Sequence, residues 1–179
     1  LVRMVKSAEE IRRLKRSAEI NELCGLESLS MVEAGISVHE IAQYYRSSVA
    51  DMGADFDHFA FGMRGIGMFT EADYILRDDD VLFADFGCIY RHYFSDSGTT
   101  LALQELPDAL MERFTTVRSC IAAGAAAAKV GARASEAHHA MIQALQDCGL
   151  EASSPHGHGV GLEVRDYPIV VANNGLYIK

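Results

Sequence analysis

Two neighbouring segments decide the fold: VLFADFGCIY at residues 81–90 and FSDSGTTLAL at residues 94–103. Both are rich in β-branched, aromatic and apolar residues, the composition that favours strands. The segment between them, Tyr90-Arg91-His92-Tyr93, is short enough to be a turn. The sequence therefore predicts a β-hairpin.

Each predicted strand carries an aspartate, Asp85 in the first and Asp96 in the second. Asp is depleted in strands because its side chain competes for backbone hydrogen bonds and is costly to bury. If Tyr90 and Arg91 form the tip, Asp85 lies directly opposite Asp96, with Cβ atoms roughly 5 Å apart. Facing carboxylates repel unless they share a proton, pair with an arginine or bind a hard cation.

We interpret the two aspartates as metal ligands, because Arg91 at the tip is expected to point away. Two divalent ions about 3.5–4 Å apart would suit bridging carboxylates. The alternative is that local hydrogen bonds satisfy both side chains.

A glycine-rich segment, PHGHGVG at residues 155–161, is the second candidate for chemistry. Alternate residues of an extended chain point to one side, so His156 and His158 could face the same way. One of them is expected as a ligand, and two are possible. The alternatives are a surface loop with solvated histidines and a phosphate-binding loop, although the latter lacks a following Lys-Ser/Thr. We interpret the other histidines as structural; they are His39, His58, His92, His138 and His139. For His92 the alternative is a supporting contact to the metal site, because it is close to Asp96 in the sequence.

Four helices are predicted around the hairpin. The first begins at the capping box Ser7-x-x-Glu10 and runs to Gly35, and the second begins at the box Ser37-x-x-Glu40 and ends near Gly53. The others span about 107–129 and 135–148.

The two halves of the chain resemble each other at a constant spacing of 96 residues. The matched pairs are Gly35 and Gly131, Glu40 and Glu136, Asp51 and Asp147, and Gly53 and Gly149. Four identities could arise by chance, but equal spacing of both glycines and both capping glutamates is typical of a duplicated unit. We therefore expect an α+β fold of two halves related by a pseudo-two-fold, with a shared curved sheet and the helices outside.

Composition limits the class of protein. With 179 residues, 49% of them hydrophobic, the chain fits one globular domain. A formal charge of −9 argues against a nucleic-acid partner. No apolar run approaches the roughly 20 residues of a membrane span, and no leader peptide is recognisable, so a cytoplasmic location without membrane contact is expected. Four cysteines without a Cys-x-x-Cys pair predict buried thiols.

Three spaced elements resemble the Xaa-Pro peptidase branch of the methionine aminopeptidase and prolidase family. They are Asp85-Phe86-Gly87, Tyr93-x-Ser95-Asp96 and the segment from His156 to Val164. The resemblance implies a pita-bread fold, an α+β arrangement around a mainly antiparallel sheet. It spans residues 1–179 as one catalytic domain. Because the chain begins at Leu1, we expect it to be part of a longer protein with an N-terminal domain, incomplete at its C-terminus.

The resemblance also implies a two-metal site. Asp85 would chelate one ion, Asp96 would bridge both and His158 would bind the other, with two downstream glutamates that are not visible here. The ions would be manganese, with cobalt, zinc or iron as alternatives, and the protein would be a homodimer. The implied reaction is hydrolysis of a C–N amide bond in an Xaa-Pro peptide by metal-bound hydroxide.

Two departures from the family bear on activity. The family usually places histidines near Gly67 and Met68 and at Arg165. We expect Arg165 to replace one of them by hydrogen-bonding to a carboxylate or a developing oxyanion, with His156 as a second catalytic candidate. The alternatives are a small-molecule amide or amidine hydrolase, like the creatinase or ectoine hydrolase members of the fold, and a catalytically silent binding domain.

Overall fold

The computed structural model describes residues 2–63, 66–69, 74–151 and 157–179, with the backbone alone at 66–69. These residues form two compact units. One, here the hairpin unit, contains Ser7–Glu105 and Val160–Val164. The other, here the helix-pair unit, contains Leu1–Lys6, Leu106–Gly159 and Arg165–Lys179.

Two helices begin the hairpin unit, α1 (Ala8–Leu29) and α2 (Val38–Asp51). The predicted capping boxes are present at the start of both. Helix α1 ends at Leu29 and does not continue to Gly35, which corrects the predicted boundary. The Ser30 side chain hydrogen-bonds to the carbonyl of Glu27, 2.6 Å away, and such local bonds compete with helix continuation.

An antiparallel sheet of β1 (Asp55–Met63), β2 (Ile66–Phe69), β3 (Val81–Tyr90), β4 (Tyr93–Phe94) and β5 (Ser97–Ala102) follows. Strand β3 lies in the middle, with β1 on one side and β4 and β5 on the other, while β2 flanks β1. The predicted hairpin is therefore confirmed. Its turn residues are Arg91 and His92, both with positive φ (48° and 72°), the conformation of a tight two-residue turn.

The hairpin register differs from the prediction. Because the tip lies between Arg91 and His92, one residue later than expected, Asp85 is opposite Gly98. Asp96 itself lies between β4 and β5, outside the regular pairing. The expectation that Asp85 and Asp96 are directly opposite was therefore wrong.

The core of the hairpin unit holds α1 and α2 against the sheet. Gly25 of α1 lets the helix approach Phe86 closely, since a β-carbon at position 25 would lie within the ring's contact distance. Buried Asn21 donates to the Phe86 carbonyl (3.2 Å) and accepts from the Tyr45 hydroxyl (2.5 Å). Buried Ser17 donates to the Cys88 carbonyl (3.2 Å). Polar contacts from α1 thus fix the part of β3 that carries Asp85.

The helix-pair unit contains α3 (Asp108–Ala127), α4 (Ala134–Asp147), β6 (His158–Gly159) and β7 (Asp166–Ile169). Helices α3 and α4 meet where Gly124 faces Met141. The short 3-10 helix Val2–Met4 contacts β7, and Arg3 pairs with buried Asp166 at 3.4 Å. This unit therefore joins segments from both ends of the chain.

The predicted repeat is present in the local structure of each half. Helices α2 and α4 have equal lengths and equivalent bounds at the spacing of 96 residues. Gly35 and Gly131 both have positive φ (93° and 88°), as do Gly53 and Gly149 (76° and 70°). The conformation of these glycines explains why both halves use the same residue at these points.

Two predictions from composition can be compared with the structure. Cys24, Cys88 and Cys120 are buried thiols, but Cys148 is exposed at the end of α4, so the expectation for that cysteine was wrong. Among the described residues, none of the helices combines the length and apolar character that crossing a bilayer requires.

Candidate metal centre

Three side chains of the hairpin unit converge on one point. His58 is on β1, Asp85 on β3, and Asp96 follows β4. Each offers one atom suitable for binding a metal, and these atoms lie within 4.8 Å of one another. The arrangement is therefore compact enough for all three to contact a single ion.

The imidazole of His58 lies between carboxylates. Its Nε2 is 3.2 Å from Asp85 Oδ1 and 3.8 Å from Asp96 Oδ1. Its Nδ1 is 2.7 Å from Asp57 Oδ2. The side chains of His58, Asp85 and Asp96 are 24%, 32% and 24% exposed, so solvent and small ligands reach the site while part of each group is desolvated.

Local backbone structure creates this arrangement. Strand β1 has an irregularity between Phe56 and His58, and His58 is then opposite Gly87 of β3. A β-carbon at position 87 would lie 2.5 Å from His58 Cε1 and 2.5 Å from the Ser95 carbonyl oxygen. Only glycine therefore leaves room for both the imidazole and the segment that leads to Asp96.

The carboxylates determine the charge of His58. Burial disfavours the imidazolium, but the hydrogen bonds to Asp85 and Asp57 outweigh it and raise the pKa of His58 to about 9. Ionised carboxylates only accept hydrogen bonds, so both ring nitrogens donate when no cation is bound. The site thus attracts positive charge, which a proton on Nε2 or a metal ion can supply.

The structure brings the predicted residues Asp85 and Asp96 together in this centre. His158 lies on β6 in the helix-pair unit, where its Nδ1 donates to the Gly159 carbonyl at 3.0 Å. This bond fixes the tautomer, so Nε2 is the nitrogen with a lone pair. Arg165 has an exposed side chain just before β7, and His156 lies outside the described residues.

His58 is the member of the centre that sequence reasoning missed, because it was interpreted as structural. The signal was the pair Asp57-His58 directly before the apolar run at residues 59–63, all of which belong to β1. A polar pair that lies half-buried beside the buried part of a strand needs a partner or a ligand. The partner, Asp85, is 27 residues away and becomes visible only once β1 and β3 are paired.

The donor set fits a divalent transition metal. One imidazole and two carboxylates are the ligand types that manganese, iron, cobalt and zinc accept.

Comparison with known proteins identifies the family. Residues 12–179 match metallopeptidase family M24. An uncharacterized peptidase of Bacillus subtilis (strain 168), YqhT, is 31% identical over 93% of this chain and 49% of its own length. An uncharacterized peptidase of Staphylococcus aureus (strain MSSA476), SAS1635, is 26% identical over 97% of this chain and 51% of its own. The chain therefore spans about half the length of the curated relatives it matches.

Solved structures have the same fold. The X-Pro aminopeptidase from Thermotoga maritima MSB8 superposes with a TM-score of 0.89 and 25% identity, covering 99% of this chain and 52% of that one. The prolidase from Pyrococcus horikoshii OT3 gives a TM-score of 0.93 at 22% identity, covering 99% and 53%. These likenesses confirm the predicted pita-bread fold. The chain belongs to metallopeptidase family M24.

Proposed function

We propose that this protein is a divalent-metal-dependent hydrolase that cleaves the C–N amide bond of Xaa-Pro peptides. The observation that carries the proposal is the convergence of His58, Asp85 and Asp96 within 4.8 Å in a member of the M24 family. Bound divalent cations would lower the pKa of a coordinated water toward neutrality and polarise the scissile carbonyl.

We further propose a dinuclear centre loaded with manganese. Asp85 and Asp96 would hold one ion, and Asp96 and His158 the second. The tautomer of His158 supports this role, because its Nε2 has the lone pair that a ligand needs. The segment that follows His158 is anchored in the hairpin unit, where the Phe94 amide donates to the Gly161 carbonyl at 2.9 Å.

Arg165 and His156 are the candidates for handling substrate. The guanidinium of Arg165 offers a fixed fork of donors, which suits the C-terminal carboxylate of a dipeptide or a developing oxyanion. Its exposed side chain supports such a role, since it remains open to a small peptide. His156 would donate or accept a proton near the same group.

The test is a peptide panel with manganese-loaded protein. We expect cleavage of Xaa-Pro dipeptides, and we expect Asp85→Asn and Asp96→Asn each to lower kcat/KM by at least about a hundredfold, the scale for losing one interaction at a reacting centre. A matched control is Asp55→Asn, which alters an exposed carboxylate at the start of β1. Metal-loaded protein that cleaves no Xaa-Pro peptide would contradict the proposed substrate.

A second candidate is hydrolysis of a small non-peptide amide or amidine. The observation favouring it is the presence of Gly67, Met68 and Arg165 where the resemblance places histidines. The same panel, extended with cyclic amides and amidines, separates the two candidates. Turnover of these compounds with no peptide cleavage would favour the second, and failure of the protein to bind manganese or cobalt would favour a silent binding domain.

A further inference from the structure

His58 has a position that the implied ligand set leaves unused. That set consists of Asp85, Asp96, His158 and two downstream glutamates, and none of these comes from β1. Yet His58 Nε2 lies 3.2 Å from Asp85 Oδ1, which is a direct hydrogen-bond distance with no room for a water molecule between the two atoms. An ion held between Asp85 and Asp96 would therefore lie within reach of this nitrogen.

The backbone of β1 and β3 places the ring at this point. The irregularity in β1 sets His58 opposite Gly87, and the missing β-carbon of Gly87 gives space to Cε1 and Nδ1 of the ring. With its side chain 24% exposed, the imidazole is largely packed. A residue held in this way can coordinate a metal with little loss of conformational entropy.

Asp57 orients the ring from the other side. Its Oδ2 accepts from His58 Nδ1 at 2.7 Å, which keeps Nδ1 protonated and directs Nε2 toward Asp85 and Asp96. A carboxylate that accepts a hydrogen bond from one ring nitrogen commonly orients a histidine whose other nitrogen binds a metal. Removing such a carboxylate typically lowers metal affinity by about 10–100-fold. Asp57 therefore has the position of a residue that orients a ligand.

We propose that His58 is a ligand of the ion held by Asp85 and Asp96, with Asp57 as its positioning residue. The inference rests on the proposed function, because it assumes that the Asp85 and Asp96 centre binds a divalent ion. On binding, Nε2 exchanges its proton for the metal, and Nδ1 continues to donate to Asp57. The competing interpretation is that His58 only neutralises the carboxylates and leaves when the ion enters.

Pulsed EPR of the manganese-bound whole chain distinguishes the two, because an imidazole nitrogen bound to Mn²⁺ gives a hyperfine coupling. The double variant His156→Ala/His158→Ala removes the candidate nitrogens of the glycine-rich segment. We expect the coupling to persist in this double variant and to be lost in the triple variant His58→Gln/His156→Ala/His158→Ala. If the double variant binds manganese and has no nitrogen coupling, or if the triple variant retains it, His58 is not the ligand.

Calorimetric titration with manganese alone gives an independent measure. We expect Asp57→Asn to weaken one binding step about 10–100-fold while the nitrogen coupling remains, since the ring stays but loses its charged partner. Asp55→Asn, on the same strand with an exposed side chain, is the matched control and should bind like wild type. Equal affinities for Asp57→Asn and wild type would overturn the positioning role.

The experiments distinguish a failure of the proposed function from a failure of the His58 inference. A wild-type chain that binds no manganese overturns both the proposed function and this inference. A chain that binds manganese and hydrolyses peptide, but has no coupling attributable to His58, overturns this inference alone. Circular dichroism on each variant separates lost binding from lost folding, and the conservative Asp57→Asn change keeps the test usable if His58→Gln unfolds.

Discussion

Replacing Gly87 by alanine adds one methyl group at the point where β3 passes the candidate centre. The new β-carbon would lie 2.5 Å from the Ser95 carbonyl oxygen and 2.5 Å from His58 Cε1. Ordinary contacts of this kind begin at 3.4 Å, so the neighbouring atoms must separate by roughly 1 Å. The Ser95 oxygen belongs to the backbone, so the segment leading to Asp96 has to move with it.

Two quantities should change in Gly87→Ala. Overpacking costs about 1–3 kcal/mol, and replacing a strand glycine returns about 0.5–1 kcal/mol, so the free energy of unfolding should fall by about 0–2.5 kcal/mol. Metal sites tolerate ligand displacements of only about 0.2 Å. The displacement of roughly 1 Å in Gly87→Ala should therefore weaken manganese binding by about 10–100-fold.

Urea unfolding without metal measures the first quantity, and calorimetric titration with manganese measures the second. The control is Gly124→Ala on α3, where the new β-carbon would overlap the Met141 side chain of α4, outside the hairpin unit that contains His58, Asp85 and Asp96. It should leave manganese affinity unchanged within error. If Gly87→Ala binds manganese like wild type, or if both variants lose affinity equally, the packing argument for the centre is refuted.

Three further substitutions test the surrounding fold by urea unfolding. Tyr45→Phe removes the hydroxyl that donates to buried Asn21 and should lower the free energy of unfolding by about 1–3 kcal/mol; no change would mean that water satisfies the amide. Gly25→Ala should lower the free energy of unfolding, because the new methyl group would collide with the Phe86 ring. This loss should exceed the gain of about 1 kcal/mol that alanine has over glycine in helix propensity. A more stable variant would contradict the close contact between Gly25 and Phe86. Gly131→Ala should cost about 1–2 kcal/mol from its positive φ alone, since nothing lies within 4 Å, and an unchanged midpoint would refute the strain.

The elements with strong local signals were predictable from the sequence. Capping boxes begin α1 and α2 as expected, and left-handed glycines end the repeated segments at the predicted positions. The hairpin was also predictable from its composition. These features depend on residues close together in the chain, so a single sequence contains the information.

Features that depend on pairing between distant residues were harder to predict from the sequence. The hairpin tip moved by one residue because Arg91 and His92 adopt positive φ, which non-glycine residues rarely do. His58 became part of the centre through its pairing opposite Gly87, a contact that no local pattern indicates. The roles of Asp85, Asp96, His158, His156 and Arg165 remain predictions that the experiments above can test.

The helix-pair unit also has a consequence for folding during synthesis. Its 3-10 helix Val2–Met4 contacts β7, and Arg3 pairs with Asp166. These partners are far apart in the sequence. Residues 7–105, by contrast, supply nearly all of the hairpin unit as one continuous stretch. On the ribosome, that stretch can begin to pack while residues 2–4 still wait for β7 to be translated. Closing so long a loop is slow, so the contact between residues 2–4 and β7 should form late in folding.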